Sequence, residues 1–126
     1  MRIMDIPTSA LGALSVSLQV SANNLANANT NGFKQSDVRF ETGPGDQGVR
    51  ISEIRKDATP GSPVEAPVYP IVGRQYEQHS GWVESSNTDV ARQFVDMINT
   101  SHAWSANAAT IRTADEMMGA LINTVV

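Results

Sequence analysis

The two ends of the chain carry an apolar pattern that predicts one long helix each. Near the amino terminus, apolar and small residues recur at alternating steps of three and four, which are the a and d positions of a heptad repeat. These positions are Met4, Pro7, Leu11, Leu14, Leu18, Ser21, Leu25 and Ala28. A proline is tolerated only in the first turn of a helix, so the regular helix is predicted to begin around residues 6–8. It is predicted to end at Asn31-Gly32, because glycine adopts a left-handed C-cap without steric penalty.

The same alternation at the carboxyl end predicts a second, longer helix that no proline interrupts. Its positions are Val90, Phe94, Met97, Ser101, Trp104, Ala108, Ile111, Asp115, Met118, Ile122 and Val125. Ser86 and Asp89 are predicted to form a capping box, so the helix is expected to start near Asn87. At 1.5 Å per residue such a helix would be about 55 Å long, more than the diameter of a globular domain of this size. The molecule is therefore predicted to be elongated.

Between the helices, short runs of alternating polar and apolar residues predict β-structure. Residues 36–41 and residues 48–54 are predicted to be strands of a hairpin, joined by a turn at residues 43–46. The predicted inward positions are Val38 and Phe40 in the first run and Val49, Ile51 and Ile54 in the second. Residues 59–70 are punctuated by prolines, which exclude a helix and predict an extended or loop stretch. One further strand each is predicted within residues 71–76 and 81–84.

The predicted fold class is therefore α+β. An N-terminal helix (residues 1–31) and a C-terminal helix (residues 87–126) are expected to form an antiparallel, coiled-coil-like pair. A Pro- and Gly-rich middle region (residues 32–86) is expected to contain the β-hairpin and the extended loops.

Composition excludes several classes of function. The chain has 126 residues, enough for about one domain. Thirteen Asp and Glu against nine Lys and Arg give a net charge of -4, the wrong sign for binding nucleic acid. Without cysteine there is no disulfide and no Cys-ligated zinc, and two histidines disfavour a multi-His metal site. No apolar run reaches the length of about 18 residues that would predict membrane insertion, and no secretory signal peptide is recognisable.

The residues that could carry catalysis are scattered and lack a supporting motif. No serine lies in a G-x-S-x-G context, and the glycines of residues 43–48 lack the spacing of a phosphate-binding loop. His79 is predicted to lie in a solvated loop at residues 77–81, and His102 lies on the long helix. The adjacent acids at residues 115–116 are expected on a helix surface. We therefore predict no enzyme, no catalytic, cofactor-binding or metal-binding residue, and no small-molecule substrate.

Missing charges are the most informative feature of the amino-terminal helix. From Ile6 to Phe33 the chain contains no Asp, Glu, Lys or Arg. A helix standing in water normally presents a charged face, whereas an uncharged one suits contact on several sides. Each protomer is therefore expected to leave part of its core to neighbours. Trp82 and Trp104 can each be a core anchor or an interface residue, and for Trp104 we favour an interface between subunits.

Two motifs resemble signatures of the bacterial flagellar rod and hook proteins, the axial proteins of the flagellum. Residues 21–34 (SANNLANANTNGFK) resemble the amino-terminal signature. Four further segments resemble the carboxyl-terminal motif of the same family. They are residues 81–90 (GWVESSNTDV), 94–98 (FVDMI), 106–107 (AN) and 113–118 (TADEMM). The short middle region is similar to that of the small proximal-rod members.

The resemblance implies a structural subunit that polymerises through its terminal helices into the axial tube, transmits torque and lines the export channel. Its implied partners are further copies of itself, other flagellar rod and axial proteins, and the flagellar export apparatus. Its implied location is the periplasmic rod of the flagellar basal body, reached through the flagellar type III apparatus. The alternative is a helical-hairpin adaptor, or a binding module linked to the export apparatus, that does not polymerise.

The heptad positions and the two motifs together define the residues expected at the assembly interface. They are Leu11, Leu14, Leu18, Asn23, Asn24, Leu25, Asn27, Asn87, Val90, Phe94, Met97, Trp104, Asn107, Ile111 and Met118.

Overall fold

The computed structural model describes residues 4–68, 71–72, 75–76 and 79–124, and it confirms the α+β class. A helix of 22 residues, α1, begins the described chain, and a helix of 35 residues, α2, ends it. The helices are α1 (Asp5–Ala26) and α2 (Val90–Thr124), and the strands are β1 (Ser36–Thr42), β2 (Val49–Lys56), β3 (Pro63–Val68), β4 (Ile71–Val72), β5 (Gln75–Tyr76) and β6 (His79–Glu84). The strands form antiparallel pairs of β1 with β2, β3 with β6, and β4 with β5.

Both helices differ from their predicted bounds at one end. Helix α1 stops at Ala26, before the predicted Asn31-Gly32, and the chain then passes through turns. Helix α2 starts at Val90 because the side chain of Asp89 is its N-cap, accepting a hydrogen bond from the Arg92 N–H at 3.1 Å. The predicted capping box is wrong, since the Ser86 hydroxyl accepts instead from the Thr88 N–H at 3.1 Å.

The two helices pack against each other in antiparallel directions. Asn24, near the end of α1, bonds Gln93, near the start of α2, at 3.1 Å. Leu14, earlier in α1, shares a groove with Trp104, later in α2. At 1.5 Å per residue, α1 is about 33 Å long and α2 about 52 Å long. The carboxyl-terminal part of α2 therefore extends beyond the amino-terminal end of α1 at Asp5.

The face of α2 that packs on α1 differs from the predicted heptad. At every second heptad position, the residue that faces α1 is the one that precedes the predicted residue. Gln93 and Ala114 are buried, whereas Phe94 and Asp115, which the heptad places inward, are exposed. Exposure of Asp115 removes the cost that a carboxylate at a helix seam would carry.

Helix α1 shows the same shift towards small and polar residues. Asn24 is buried and Ser17 half-buried, whereas Leu18 is exposed. The fully buried positions of the helices are thus small and polar side chains, whereas the larger apolar side chains are half-buried or exposed. The hydrogen bond from Asn24 to Gln93 fixes this rotation of the two helices.

The predicted hairpin is confirmed as β1 and β2, which pair from Ser36 with Lys56 to Thr42 with Val49. A bulge shifts the register at Arg39/Phe40. Because of the bulge, the five predicted inward residues do share one face, the face that lies on α1. This face is incompletely covered, because one helix is narrower than the hairpin: Phe40 and Ile54 stay exposed on either side of it.

Within the proline-punctuated stretch, residues 63–68 are extended, which is one of the two predicted alternatives, and they belong to a second β-ribbon. Strand β3 pairs with β6, and β4 with β5 in the same continuous register. Residues 71–76 contribute two short strands in place of the single predicted one. His79 begins strand β6, which corrects its predicted place in a loop, and residues 77–78 of that loop lie outside the described residues.

The described part of the chain has almost no apolar core. Its only buried hydrophobic residues are Ala13 and Ala114. The solvent-accessible surface is 9036 Å², whereas a globular protein of this mass exposes about 6,500 Å². Neither described helix has a stretch that is long and apolar enough to cross a membrane. The fold therefore leaves much of its apolar surface in contact with solvent.

Candidate assembly surface

A polar junction joins the end of α1, the start of β1 and the start of α2. The side chain of Asn24 is 1% exposed. It accepts a hydrogen bond from the Ser36 N–H at 2.8 Å and donates to the Ser36 carbonyl at 2.8 Å and to the Gln93 Oε1 at 3.1 Å. Gln93 is also 1% exposed and donates to the Gln35 Oε1 at 3.4 Å. These bonds set how α1, α2 and β1 are placed relative to one another.

Asn87 extends the polar junction towards the end of β2. Its Oδ1 accepts from the Gln35 N–H at 2.7 Å, and its Nδ2 donates to the carbonyls of Asp57 at 3.0 Å and Thr59 at 2.9 Å. The backbone N–H of Asp57 donates to the Gln35 carbonyl at 2.9 Å. No buried polar side-chain atom within the described ranges lacks a hydrogen-bond partner. The polar junction is thus fully satisfied, as a buried network has to be.

An ion pair between Lys34 and Glu84 ties the β3–β6 ribbon to the polar junction. Lys34 also donates to the Thr59 carbonyl at 2.9 Å, and the Gly61 N–H donates to Glu84 Oε1 at 2.6 Å. The backbone carbonyl of Glu84 accepts from the Gly32 N–H at 2.7 Å. The hydrogen bond from Lys34, with that from the Gly61 N–H, holds the pKa of the Glu84 carboxyl below its usual range.

The lowered pKa of Glu84 predicts a specific acid sensitivity. A carboxyl whose pKa is lower in the folded chain stabilises the fold above its unfolded pKa of about 4.3, and this stabilisation is lost as the pH falls through the lowered value. The Glu84→Gln variant should therefore lose less stability than the parent between about pH 5 and pH 3. Some acid sensitivity should remain, because the Thr59 hydroxyl and N–H lower the pKa of Asp57 as well.

Urea unfolding at a series of pH values measures this difference. The exposed Glu65 of β3 provides the matched control, since Glu65→Gln removes the same charge outside the polar junction. Superimposable pH profiles of the parent and the Glu84→Gln variant would contradict the assignment.

Several of the asparagines predicted at an interface are used inside the chain. Asn24 and Asn87 belong to the polar junction. Asn27 donates to the Asn23 carbonyl at 2.9 Å, and Asn107 donates to the Ala103 carbonyl at 2.8 Å. Asn23 itself is exposed. The asparagine-rich motif thus serves mainly to end α1 and to attach it to α2 and β1.

The apolar members of the predicted set lie at or near the surface. Half-buried are Leu11, Leu14, Leu25, Met97 and Ile111, and exposed are Leu18, Val90, Phe94, Trp104 and Met118. The heptad pattern did not include Val95 and Ile98, which are 55% and 56% exposed beside Phe94. We call Phe94, Val95 and Ile98 the exposed face of α2.

A groove between the helices adjoins this surface. Its volume is about 370 Å³. The groove is lined by Leu14, Ser15, Leu18, Gln19, Thr100, Ser101 and Trp104, all uncharged. We call it the helical groove. Residues 97–111 of α2 contain no Asp, Glu, Lys or Arg, as is true of residues 6–33. A surface of this kind packs against protein without leaving buried charges.

The described ion pairs lie outside this uncharged surface. Arg92 lies 3.8 Å from Asp37 and 3.8 Å from Asp96, at the start of α2. Arg112 pairs with Glu116 at 3.0 Å, after the uncharged stretch ends. His102 is exposed on α2. The arrangement suits packing against other helices, and within the described ranges no group of His, Asp and Glu is placed to hold a metal ion.

Sequence reasoning missed the residues that complete the polar junction. Gln35 and Gln93 are buried, and Asp57 receives hydrogen bonds from Thr59, yet none of the three stands out in the sequence. The one available signal was the position of Gln93 beside Phe94, since a glutamine at the start of an uncharged helix stripe can face inward when it finds polar partners.

Both ends of the chain match protein families of known role. The profile described as "Flagella basal body rod protein" matches residues 4–34. The profile described as "Flagellar basal body rod FlgEFG protein C-terminal" matches residues 79–124. The first match covers α1 and the chain up to Lys34, and the second covers β6 and α2, so the polar junction lies where the two matched segments meet.

Full-length relatives agree with the profiles. The chain is 32% identical over 128 residues to the flagellar basal-body rod protein FlgC of Yersinia enterocolitica, with 94% of this chain and 92% of that protein covered. It is 29% identical to FlgC of Salmonella typhimurium with the same coverage. A shorter match, 46% over 43 residues, links it to the flagellar hook protein FlgE of Borreliella burgdorferi, covering 34% of this chain and 10% of that protein. Because a relative that is 32% identical covers nearly the whole chain and both family profiles agree, the chain belongs to the flagellar basal-body rod proteins, and like its relatives it is a structural subunit of the rod rather than an enzyme.

Proposed function

We propose that this chain polymerises through α1 and α2 into the axial tube of the rod, where it transmits torque and lines the export channel. The observation that carries the proposal is the apolar, uncharged surface that the folded chain leaves uncovered. In this proposal the N-terminal segment (residues 1–31) and the C-terminal segment (residues 87–126) form a coiled-coil-like unit that makes the tube. The middle segment (residues 32–86) forms the outer part.

The total area that the folded chain exposes supports contact with more than one neighbour. The chain exposes about 2,500 Å² more than a globular protein of its mass. A standard protein interface buries about 800 Å² on each partner. The excess includes polar as well as apolar area and is larger than one such interface, as contact with more than one neighbour requires.

The nature of the exposed residues supports the same conclusion. Phe94, Val95, Ile98 and Trp104 are all more than 40% exposed on one helix. Aromatic residues of this kind contribute strongly to protein interfaces. The relatives are rod and hook proteins, so the partners proposed here are further copies of this chain and other flagellar axial proteins. Delivery through the flagellar export apparatus is part of the same proposal.

A concentration series tests polymerisation directly. Purified protein followed by light scattering should show growth above a threshold concentration, and negative-stain imaging should show rings, stacks or filaments with helical order. Monomers at every concentration, alone and mixed with other rod subunits, would overturn the proposal and favour the non-polymerising adaptor.

A further inference from the structure

The carboxyl-terminal end of α2 carries an apolar stripe that no part of α1 covers. Along the paired part of α2, the row that faces α1 includes Gln93, Thr100, Asn107 and Ala114, with the half-buried Met97 and Ile111 between them. The same three-four spacing continues to Met118 and Leu121. We call residues 115–124 the overhang, since they extend beyond the length of α1.

The overhang leaves the apolar side chains of this row exposed, whereas Met97 and Ile111 in the paired part are half-buried. Met117, Leu121 and Ile122 are 58%, 68% and 69% exposed, and Met118 is exposed as well. Residues 117–124 contain no charged side chain. This apolar stripe continues the row of α2 residues that faces α1, and a stripe of this kind is suited to contact with other helices.

The helical groove has the matching properties. It presents Leu14, Leu18 and Trp104 between uncharged Ser, Thr and Gln side chains. A cavity of about 150 Å³ accommodates a benzene ring, so the 370 Å³ of the groove has room for more than one apolar side chain. Residues 117–124 of the overhang and the lining of the helical groove carry no charge that would have to be desolvated, so these two surfaces are electrostatically compatible.

We propose that the overhang of one copy occupies the helical groove of a second copy. The overhang cannot fill the groove of its own chain, because Ile122 lies about 27 Å along the same helix from Trp104 at 1.5 Å per residue. The occupant is therefore another molecule, and a second copy presents the matching uncharged stripe. This inference rests on the proposed function, since it names one of the contacts through which the subunits assemble.

The geometry of this contact favours an open assembly. The overhang and the helical groove are different patches of the same chain, so the contact is heterologous: each copy uses its overhang on one neighbour and its groove on another. A heterologous contact that does not close on itself generates a helical filament rather than a dimer.

Engineered cysteines test the contact, because the natural chain has none. The double variant Gln19→Cys/Ile122→Cys places one thiol at the groove and one on the overhang. Disulfides form only where the Cα atoms come within about 7 Å. Under oxidation of assembled protein, the double variant should give a ladder of covalent oligomers on a non-reducing gel, and each single variant should not.

A matched variant and a separate assembly measurement distinguish the outcomes. Ser52→Cys/Ile122→Cys carries its first thiol on the exposed hairpin strand β2 and should give no ladder. If light scattering shows assembly but Gln19→Cys/Ile122→Cys gives no ladder, or if both double variants give one, the contact proposed here is wrong and polymerisation stands. If the protein does not assemble at all, the proposed function and this contact are both overturned.

Discussion

Replacing Asn24 with alanine is expected to destabilise the folded monomer by about 3 kcal/mol, because each lost hydrogen bond to a buried group costs about 1 kcal/mol or more. The Asn24 side chain makes three hydrogen bonds, two to the Ser36 backbone and one to Gln93. Truncation leaves these partners unsatisfied in a site that is nearly sealed from water. A loss of about 3 kcal/mol is a large share of the roughly 5–15 kcal/mol that stabilises an ordinary domain. Because the buried hydrophobic residues of the described chain are two alanines, we expect this loss to unfold a large fraction of the protein.

Urea unfolding followed by circular dichroism measures the effect. The neighbouring Asn23 is the control, because it is exposed and its replacement by alanine only improves helix propensity. Asn23→Ala should therefore change the free energy of unfolding by no more than about 0.5 kcal/mol, in the stabilising direction. Equal unfolding midpoints for the Asn24→Ala variant and the parent would show that the polar junction does not hold the helices in place.

Replacing Phe94 with aspartate is expected to abolish assembly while leaving the monomer intact. Phe94 is 51% exposed, so the substitution should change the free energy of unfolding by about 0.5 kcal/mol or less. In an assembled contact the aspartate would be a buried, unpaired charge, which costs about 3 kcal/mol or more. A cost of that size raises the concentration needed for assembly at least about a hundredfold.

Light scattering measures the threshold concentration, and circular dichroism confirms that the variant monomer is folded. Phe94→Leu keeps an apolar side chain and should assemble close to the parent threshold. Thr42→Asp adds the same charge at an exposed position of β1 and should shift the threshold far less. An unchanged threshold for Phe94→Asp would remove the exposed face of α2 from the assembly interface.

The existence and length of both helices could be predicted from the sequence, but their rotation could not. A heptad pattern identifies a helix because its period is a property of the helix alone. Which residues of the stripe turn inward depends on the partner. Here Gln93 displaces Phe94 from the contact with α1 because Asn24 and Gln35 offer it hydrogen bonds. Asn24 and Gln35 lie far from Gln93 in the sequence, so the local pattern around Gln93 does not indicate that its side chain turns inward.

The β-structure shows the same division between local and distant causes. The β1–β2 hairpin was predictable because alternation flanks a Gly-Pro-Gly-Asp turn, and both signals are local. The long β3–β6 ribbon was only partly predictable, since prolines at residues 63 and 67 argue against a strand within a sheet. They are accommodated because the ribbon has two strands, so each strand keeps an edge without a partner.

Within the candidate site, too, local sequence features were predictable and contacts between distant residues were not. The signature residues Asn24 and Asn87 were recognisable as important, yet their role inside the polar junction came from the fold. The apolar interface residues Leu18 and Trp104 were chosen from the heptad and lie at the surface, where they line the helical groove. Whether they contact neighbouring subunits stays a prediction that the variants above address.

The small-residue contact between the helices has a mechanical consequence. Little fully buried apolar surface lies between α1 and α2, so the pair is expected to resist a pulling force weakly once the hydrogen bonds at one end have broken. In the proposed delivery through the flagellar export apparatus, a helix pair that separates under a small force would be easier to unfold for passage. After assembly, contacts with the neighbouring subunits would make the helix pair rigid.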